Sequence, residues 1–261
     1  MEVLTRTTWR YTIAVFAGAI TLLCFFLLQQ YPRMATVIPL ICLWLLALIG
    51  LSFFSKTRYV QQYQLFSLII CLGLSLVGLF FVVELPIIRR VVMVASVILY
   101  AMLFGWNIKD DGLWESIKPF RRVVMMSWVF TVYAGMTTLF AFHAFFQGTL
   151  ISLITILGGA LLLSYAAVHI WRLYFQSAIK PLILWVMIVG ITSVEIIWVV
   201  GLLPFVYGAL GLLVTWCWYL LQLFARFHFS KRGIEWKQQV PFLVINALLV
   251  IMFFIFFVRW V

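Results

Sequence analysis

Among the residues of this chain, Glu195 holds the position at which a titratable group is most costly. It stands in the run Thr192-Ser193-Val194-Glu195-Ile196-Ile197-Trp198, inside a stretch that is otherwise apolar. An ionised carboxylate in hydrocarbon costs on the order of a few kcal/mol, so it is expected to face the helix bundle or water, or to hold a proton. Helical spacing sets Thr192 and Trp198 on the same face, where a hydroxyl and an indole can hydrogen-bond the carboxyl. Two roles are open: an ion, proton or substrate site, or an interhelical hydrogen bond that holds packing.

A second constellation is Glu84-Leu85-Pro86-Ile87-Ile88-Arg89-Arg90, between two apolar runs. Guanidinium forks bind phosphate and carboxylate in a bidentate way, so Arg89 and Arg90 would suit an anionic headgroup or a lipid-linked phosphate. The alternative is that both side chains snorkel towards water and one pairs with Glu84. His143 belongs to the same side of the membrane as Arg33, Glu84, Arg89 and Arg90, with Glu195 deeper in that half. Together they would line an outward-facing cavity; otherwise His143 is an interfacial or packing residue.

The remaining polar residues exclude more than they suggest. Asp110, Asp111 and Glu115 form the longest acidic segment, and paired carboxylates can hold magnesium against pyrophosphate when a second acidic loop faces them. The connection from Tyr174 to Lys180 supplies no such residue, so Asp110 and Asp111 are read as a solvated turn with Gly112. There is no HExxH, Walker A or GxSxG run. Cys24, Cys42, Cys71 and Cys217 each lie within an apolar run, without CxxC spacing, and are read as small buried hydrophobes. A bis-histidine haem would have to use His169 and His228, which is disfavoured because a loop follows His228. No metal, no cofactor and no catalytic residue is assigned, and an enzyme is the less favoured class.

The elements that position these groups follow from composition. With 66% hydrophobic and 10% charged residues and a mean hydropathy of +1.18, the chain lies far from soluble proteins. Apolar runs recur from Tyr11 to the C-terminus, at Tyr11 to Leu28, Thr36 to Phe54, Leu65 to Val83, Pro86 to Trp106, Val123 to Phe146, Leu150 to Tyr174, Pro181 to Gly201, Phe205 to Phe224 and Val240 to Val258. Each can cross roughly 30 Å of hydrocarbon at about 1.5 Å per residue. The fold class is therefore all-α: a polytopic integral membrane helical bundle of about nine transmembrane helices, forming one membrane-embedded domain over residues 1–261. Arg6 and Arg10 precede the first run, but no cleavage site follows it convincingly, so it is read as a retained helix.

Charge gives the orientation. Of the 18 Lys and Arg residues, 14 fall on one side: Arg6, Arg10, Lys56, Arg58, Lys109, Lys118, Arg121, Arg122, Arg172, Lys180, Arg226, Lys231, Arg232 and Lys237. The other side keeps four, Arg33, Arg89, Arg90 and Arg259. The positive-inside rule then places the N-terminus inside and the C-terminus outside. The net charge of +11 is dispersed between apolar runs, which argues for contact with membrane lipids and against nucleic acid.

Local signals refine the elements. Pro86, Pro181 and Pro241 are expected near helix starts, and Pro32 and Pro204 in short connections. The turns Gln147-Gly148-Thr149 and Gly201-Leu202-Leu203-Pro204 are short, so helices five and six, and seven and eight, are expected to form hairpins. Ala14, Gly18, Gly73, Gly158, Gly159, Gly208 and Gly211 would allow close helix contact. Trp9, Trp106, Trp171 and Trp260 suit an interfacial belt. Phe54-Ser55-Lys56 and Phe229-Ser230-Lys231 echo each other weakly. A transporter or permease with Glu195 at its ion site is the leading expectation, in a plasma membrane of prokaryotic type. The alternatives are a subunit that meets a protein partner through its cytoplasmic loops, chiefly residues 226–239, or a binder of, or enzyme for, lipid-linked anions at the outer leaflet.

Overall fold

A computed structural model describes residues 2–54, 62–105, 117–174, 179–228 and 236–257. These form α1 (Glu2–Gln30), α2 (Met34–Phe54), α3 (Gln62–Val82), α4 (Pro86–Gly105), α5 (Ile117–Phe145), α6 (Thr149–Tyr174), α7 (Ile179–Gly201), α8 (Tyr207–His228) and α9 (Trp236–Phe257), with no strand among the described residues. Eight helices carry an apolar stretch long enough to cross a bilayer, and α9 contributes a shorter one, Leu243–Ile255. A helix satisfies its backbone polar groups internally, which hydrocarbon demands. The chain is a multi-pass helical membrane bundle.

The prolines mark the ends unequally. Pro86 opens α4 and Pro181 is the third residue of α7, positions where the missing N–H had no partner to lose. Pro241, expected at a helix start, is instead the sixth residue of α9, because the helix begins at Trp236. The acidic segment from Asp110 to Glu115, the loop portion of 226–239 and both Phe-Ser-Lys echoes lie largely or wholly outside the described residues.

The chain divides into two compact units, Met1–Gly135 and Met136–Val261, with the boundary inside α5. In the first unit α1 packs most extensively on α4. Small residues permit this: a Cβ on Gly18 would sit 3.3 Å from Val97 Cγ1, and one on Gly105 3.4 Å from Ala14 Cβ. The core holds Phe25, Trp44, Phe80 and Tyr100 in edge-to-face contacts. Their polar tips are satisfied. Trp44 Nε1 donates to Thr21 Oγ1 at 3.2 Å, Thr21 donates to Ala17 O at 2.8 Å, and Tyr100 donates to Ile69 O at 3.0 Å. Cys42, expected to be buried with the other cysteines, is exposed; Cys24 is buried.

In the second unit α6 packs chiefly on α7, and α7 on α8. The α7–α8 hairpin thus forms as the short turn requires, whereas α5 meets α6 through side chains near their shared turn. Trp171, assigned from its place near a helix end to the interfacial belt, is fully buried and donates to Gln222 O at 3.4 Å. Trp218, equally buried, donates to Leu163 O at 3.0 Å, and Trp216 donates to Asn246 Oδ1 at 2.8 Å, tying α8 to α9. These three indoles act as packing groups whose one donor finds a carbonyl or amide oxygen.

Candidate functional site

The second unit contains a cavity of about 210 Å³ between α5, α6 and α7, at the ends joined by the α5–α6 turn. Its lining is Phe140 and His143 from α5, Ser152, Thr155 and Ile156 from α6, Ile197, Trp198 and Gly201 from α7, and Leu202 just beyond. The local fold explains the meeting. Gly148 takes φ +156°, which glycine adopts without steric penalty, and α6 starts one residue later, so its first turns face the last turns of α5.

Across that turn the imidazole Nε2 of His143 lies 2.9 Å from Ser152 Oγ. Ser152 Oγ also lies 3.2 Å from Gly148 O, and its one proton can go to that carbonyl, with His143 Nε2–H then donating to the serine and Nδ1 accepting, or to the imidazole in its other tautomer. One turn further along α6, buried Thr155 donates to Leu139 O at 3.4 Å, again consuming its proton and leaving oxygen lone pairs. The site therefore presents acceptors at Ser152 and Thr155, joined by His143 Nδ1 when Nε2 carries the proton. The remaining wall is apolar and partly aromatic, and the lining contains no Asp, Glu, Lys or Arg.

Of the residues singled out from sequence, His143 and Trp198 meet at this cavity; Glu195 and Thr192 do not line it. Glu195 is exposed on the side of α7 turned away from its packed stripe, so of the dispositions expected for it the bundle-facing one is not realised, and Thr192 is half-buried one turn away. The reason is the register of α7. Its inward stripe is Val189, Ser193, Ile197 and Val200, all buried, and Glu195 falls about 160° from Ser193 to Ile197's stripe centre at roughly 100° per residue.

In the first unit Arg89 folds back on its own connection. Its Nε and Nη2 donate to Val83 O at 3.3 and 2.9 Å, and the guanidinium stands 5.5 Å from the Phe80 ring centroid. That carbonyl belongs to the residue just after α3, where backbone acceptors lack intrahelical donors. The expected pairing with Glu84 is replaced by this cap, and Glu84 and Arg90 are both exposed. The two arginines thus offer one exposed guanidinium and one engaged by its own chain. The histidines of the other end have separate surroundings: His169 is buried with its ring 4.5 Å from Tyr165, and His228 is exposed with its ring 5.1 Å from Trp185.

Ser152 and Thr155 were missed as site residues. The signal was present: the two lie three apart at the start of α6, opposite His143 across a turn too short to hold them elsewhere. No family model matches this chain, and neither does any curated protein or solved structure.

Proposed function

We propose that this multi-pass membrane protein binds a small amphipathic molecule carrying a hydroxyl or amine, in the outer half of the bilayer, at the cavity between α5, α6 and α7. The observation that carries the reading is the His143–Ser152 pair at 2.9 Å, set in an apolar pocket with spare acceptors. Sites of this kind are mostly apolar, with a few convergent polar groups to fix orientation. A cavity of about 210 Å³ lies below the usual range for drug-sized ligands, so it suits a small solute or one end of a lipid. The acceptors receive the ligand's O–H or N–H, while Trp198 and Phe140 cover its apolar part and, for an ammonium, offer ring faces.

Carriage of this ligand across the membrane is the form of the transporter reading that the geometry favours, with the cavity as binding site in place of Glu195. The alternative of an outer-leaflet anion site draws less support, since Arg89 is occupied by Val83 O and no cation lines the cavity. The test is mass spectrometry of small molecules and lipids extracted from purified protein, comparing wild type with Ser152→Leu and Thr155→Leu, which fill the cavity. A species held in near-equal amount by wild type and lost from both folded variants supports the proposal. Identical extracts from all three overturn it.

A further inference from the structure

The walls of the cavity between α5, α6 and α7 are not equally enclosed. Phe140, Thr155 and Ile197 are buried, whereas Trp198 is 59% and Leu202 70% exposed. Helical spacing gives that difference a direction. On α6 the lining residues Ser152 and Ile156 have buried Thr155 on one flank, bonded to α5, and Leu153 and Leu157, 53% and 55% exposed, on the other. On α7 Trp198 stands about 100° around from buried Ile197. The cavity thus has a gap between α6 and α7 on the flank turned away from α5, bordered by large apolar side chains. Trp198 lies inside the apolar span Ile183–Gly201, about 4.5 Å from its end at 1.5 Å per residue, so bilayer rather than water meets the gap.

The floor of the cavity is shut. Beneath it a Cβ on Gly159 would stand 2.8 Å from Ile197 Cδ1 and 3.0 Å from Met136 Sδ, and one on Gly190 3.2 Å from Ser164 Oγ, so no chain passes between these helices. About 210 Å³ holds a polar end and not a whole amphiphile, and the remainder has one way out, through the gap. A lipid in the leaflet at this end already carries its polar end at this depth and points its chain inward. It enters sideways without drawing its head through hydrocarbon. The lining has no Asp, Glu, Lys or Arg, so a charged head would lack a counter-ion in an apolar pocket. A hydroxyl, by contrast, donates to the lone pairs of Ser152 and Thr155.

Taking the cavity as the binding site proposed above, we infer that its ligand is a lipid-borne amphiphile with an uncharged, hydroxyl-bearing head. The head sits on Ser152 and Thr155, and the chain leaves between α6 and α7 past Trp198 and Leu157.

The experiment uses the full chain in nanodiscs of a zwitterionic lipid. In a variant carrying Ser152→Cys and lacking the four native cysteines, labelling by a water-soluble maleimide is timed with monolauroylglycerol in the bilayer or glycerol in the buffer. Monolauroylglycerol at several times its Kd is expected to slow labelling about fivefold by mass action, glycerol not at all, and neither should slow Leu150→Cys. Wild type is then irradiated with monolauroylglycerol that carries a diazirine at its chain end, which decides the matter where Ser152→Cys itself weakens binding. Cross-links are expected on α6 and α7 around Leu157 and Trp198, displaced by unlabelled monolauroylglycerol and lost in Ser152→Leu. Cross-links spread over all exposed helix faces, not displaced, or kept in Ser152→Leu overturn the inference. Protection by glycerol also overturns it, while leaving the cavity a binding site for a water-borne solute. Protection by neither probe, without displaceable cross-links, overturns the lipid-borne ligand and the binding site together.

Discussion

Replacing Gly211 by alanine tests how closely α8 crosses α5 in the second unit. A Cβ at Gly211 would stand 2.9 Å from Thr137 N and 3.0 Å from Thr137 Cα, backbone atoms that cannot rotate away. Ordinary contact begins near 3.4 Å, so the two helices must part by roughly half an ångström at the crossing. Overpacking of this kind costs about 1–3 kcal/mol. Alanine also gains about 0.8–1 kcal/mol over glycine in helix propensity, and that gain must be subtracted. Gly158→Ala isolates it, since nothing lies within 4 Å of a Cβ there. Reversible unfolding in mixed micelles, followed by tryptophan fluorescence, measures both variants. The difference between them is predicted at about 1–3 kcal/mol, with Gly158→Ala at least as stable as wild type and Gly211→Ala the weaker. Equal stability of the two variants would refute the close crossing and, with it, the packing that holds α5 beside the cavity.

The same assay checks three further expectations. Thr21→Val removes the acceptor of buried Trp44 Nε1 while keeping the shape, and should cost about 1–3 kcal/mol; no loss would show that the indole finds another partner. Arg89→Ala gives up both the Val83 carbonyl cap and the Phe80 ring contact and should cost about 0.5–2 kcal/mol, whereas Arg90→Ala, exposed, should change stability little. Trp218→Phe leaves the ring volume largely filled but deletes the bond to Leu163 O, for a loss of about 1–3 kcal/mol that includes the smaller ring; a loss below 0.5 kcal/mol would count against the bond.

The helices were legible because hydrocarbon imposes a length. A run such as Tyr63–Val82 or Thr149–Tyr174 is apolar throughout and long enough to span, and no soluble alternative competes for it. What hydropathy does not carry is rotation about the helix axis. The α7 sequence is mostly apolar on every side, so nothing marked which side faces α6, and cost alone left Glu195 to face the bundle or water, or to hold a proton. Packing sets the rotation, through Ser193 and Ile197 on the inward stripe. Trp171 shows the same limit: nearness to a helix end suggests an interface, but a buried carbonyl within reach makes an indole a core residue. Arg89 was misread for a third reason. Its nearest acceptor was not the carboxylate in its own segment but the unpaired carbonyl at the end of α3. The cavity was half visible, in His143 and Trp198. Ser152 and Thr155 carry no signature alone and gain meaning only from the turn at Gly148.

The proposed binding site requires that the His143–Ser152 cavity be reached from outside. Ser152→Cys, in a background without Cys24, Cys42, Cys71 and Cys217, is to be labelled on intact cells with a membrane-impermeant maleimide, beside Leu150→Cys at the exposed start of α6. Both are expected to react, with Ser152→Cys slower because the residue is half-buried. Labelling of Leu150→Cys alone would make the cavity a closed void and contradict the proposed binding site.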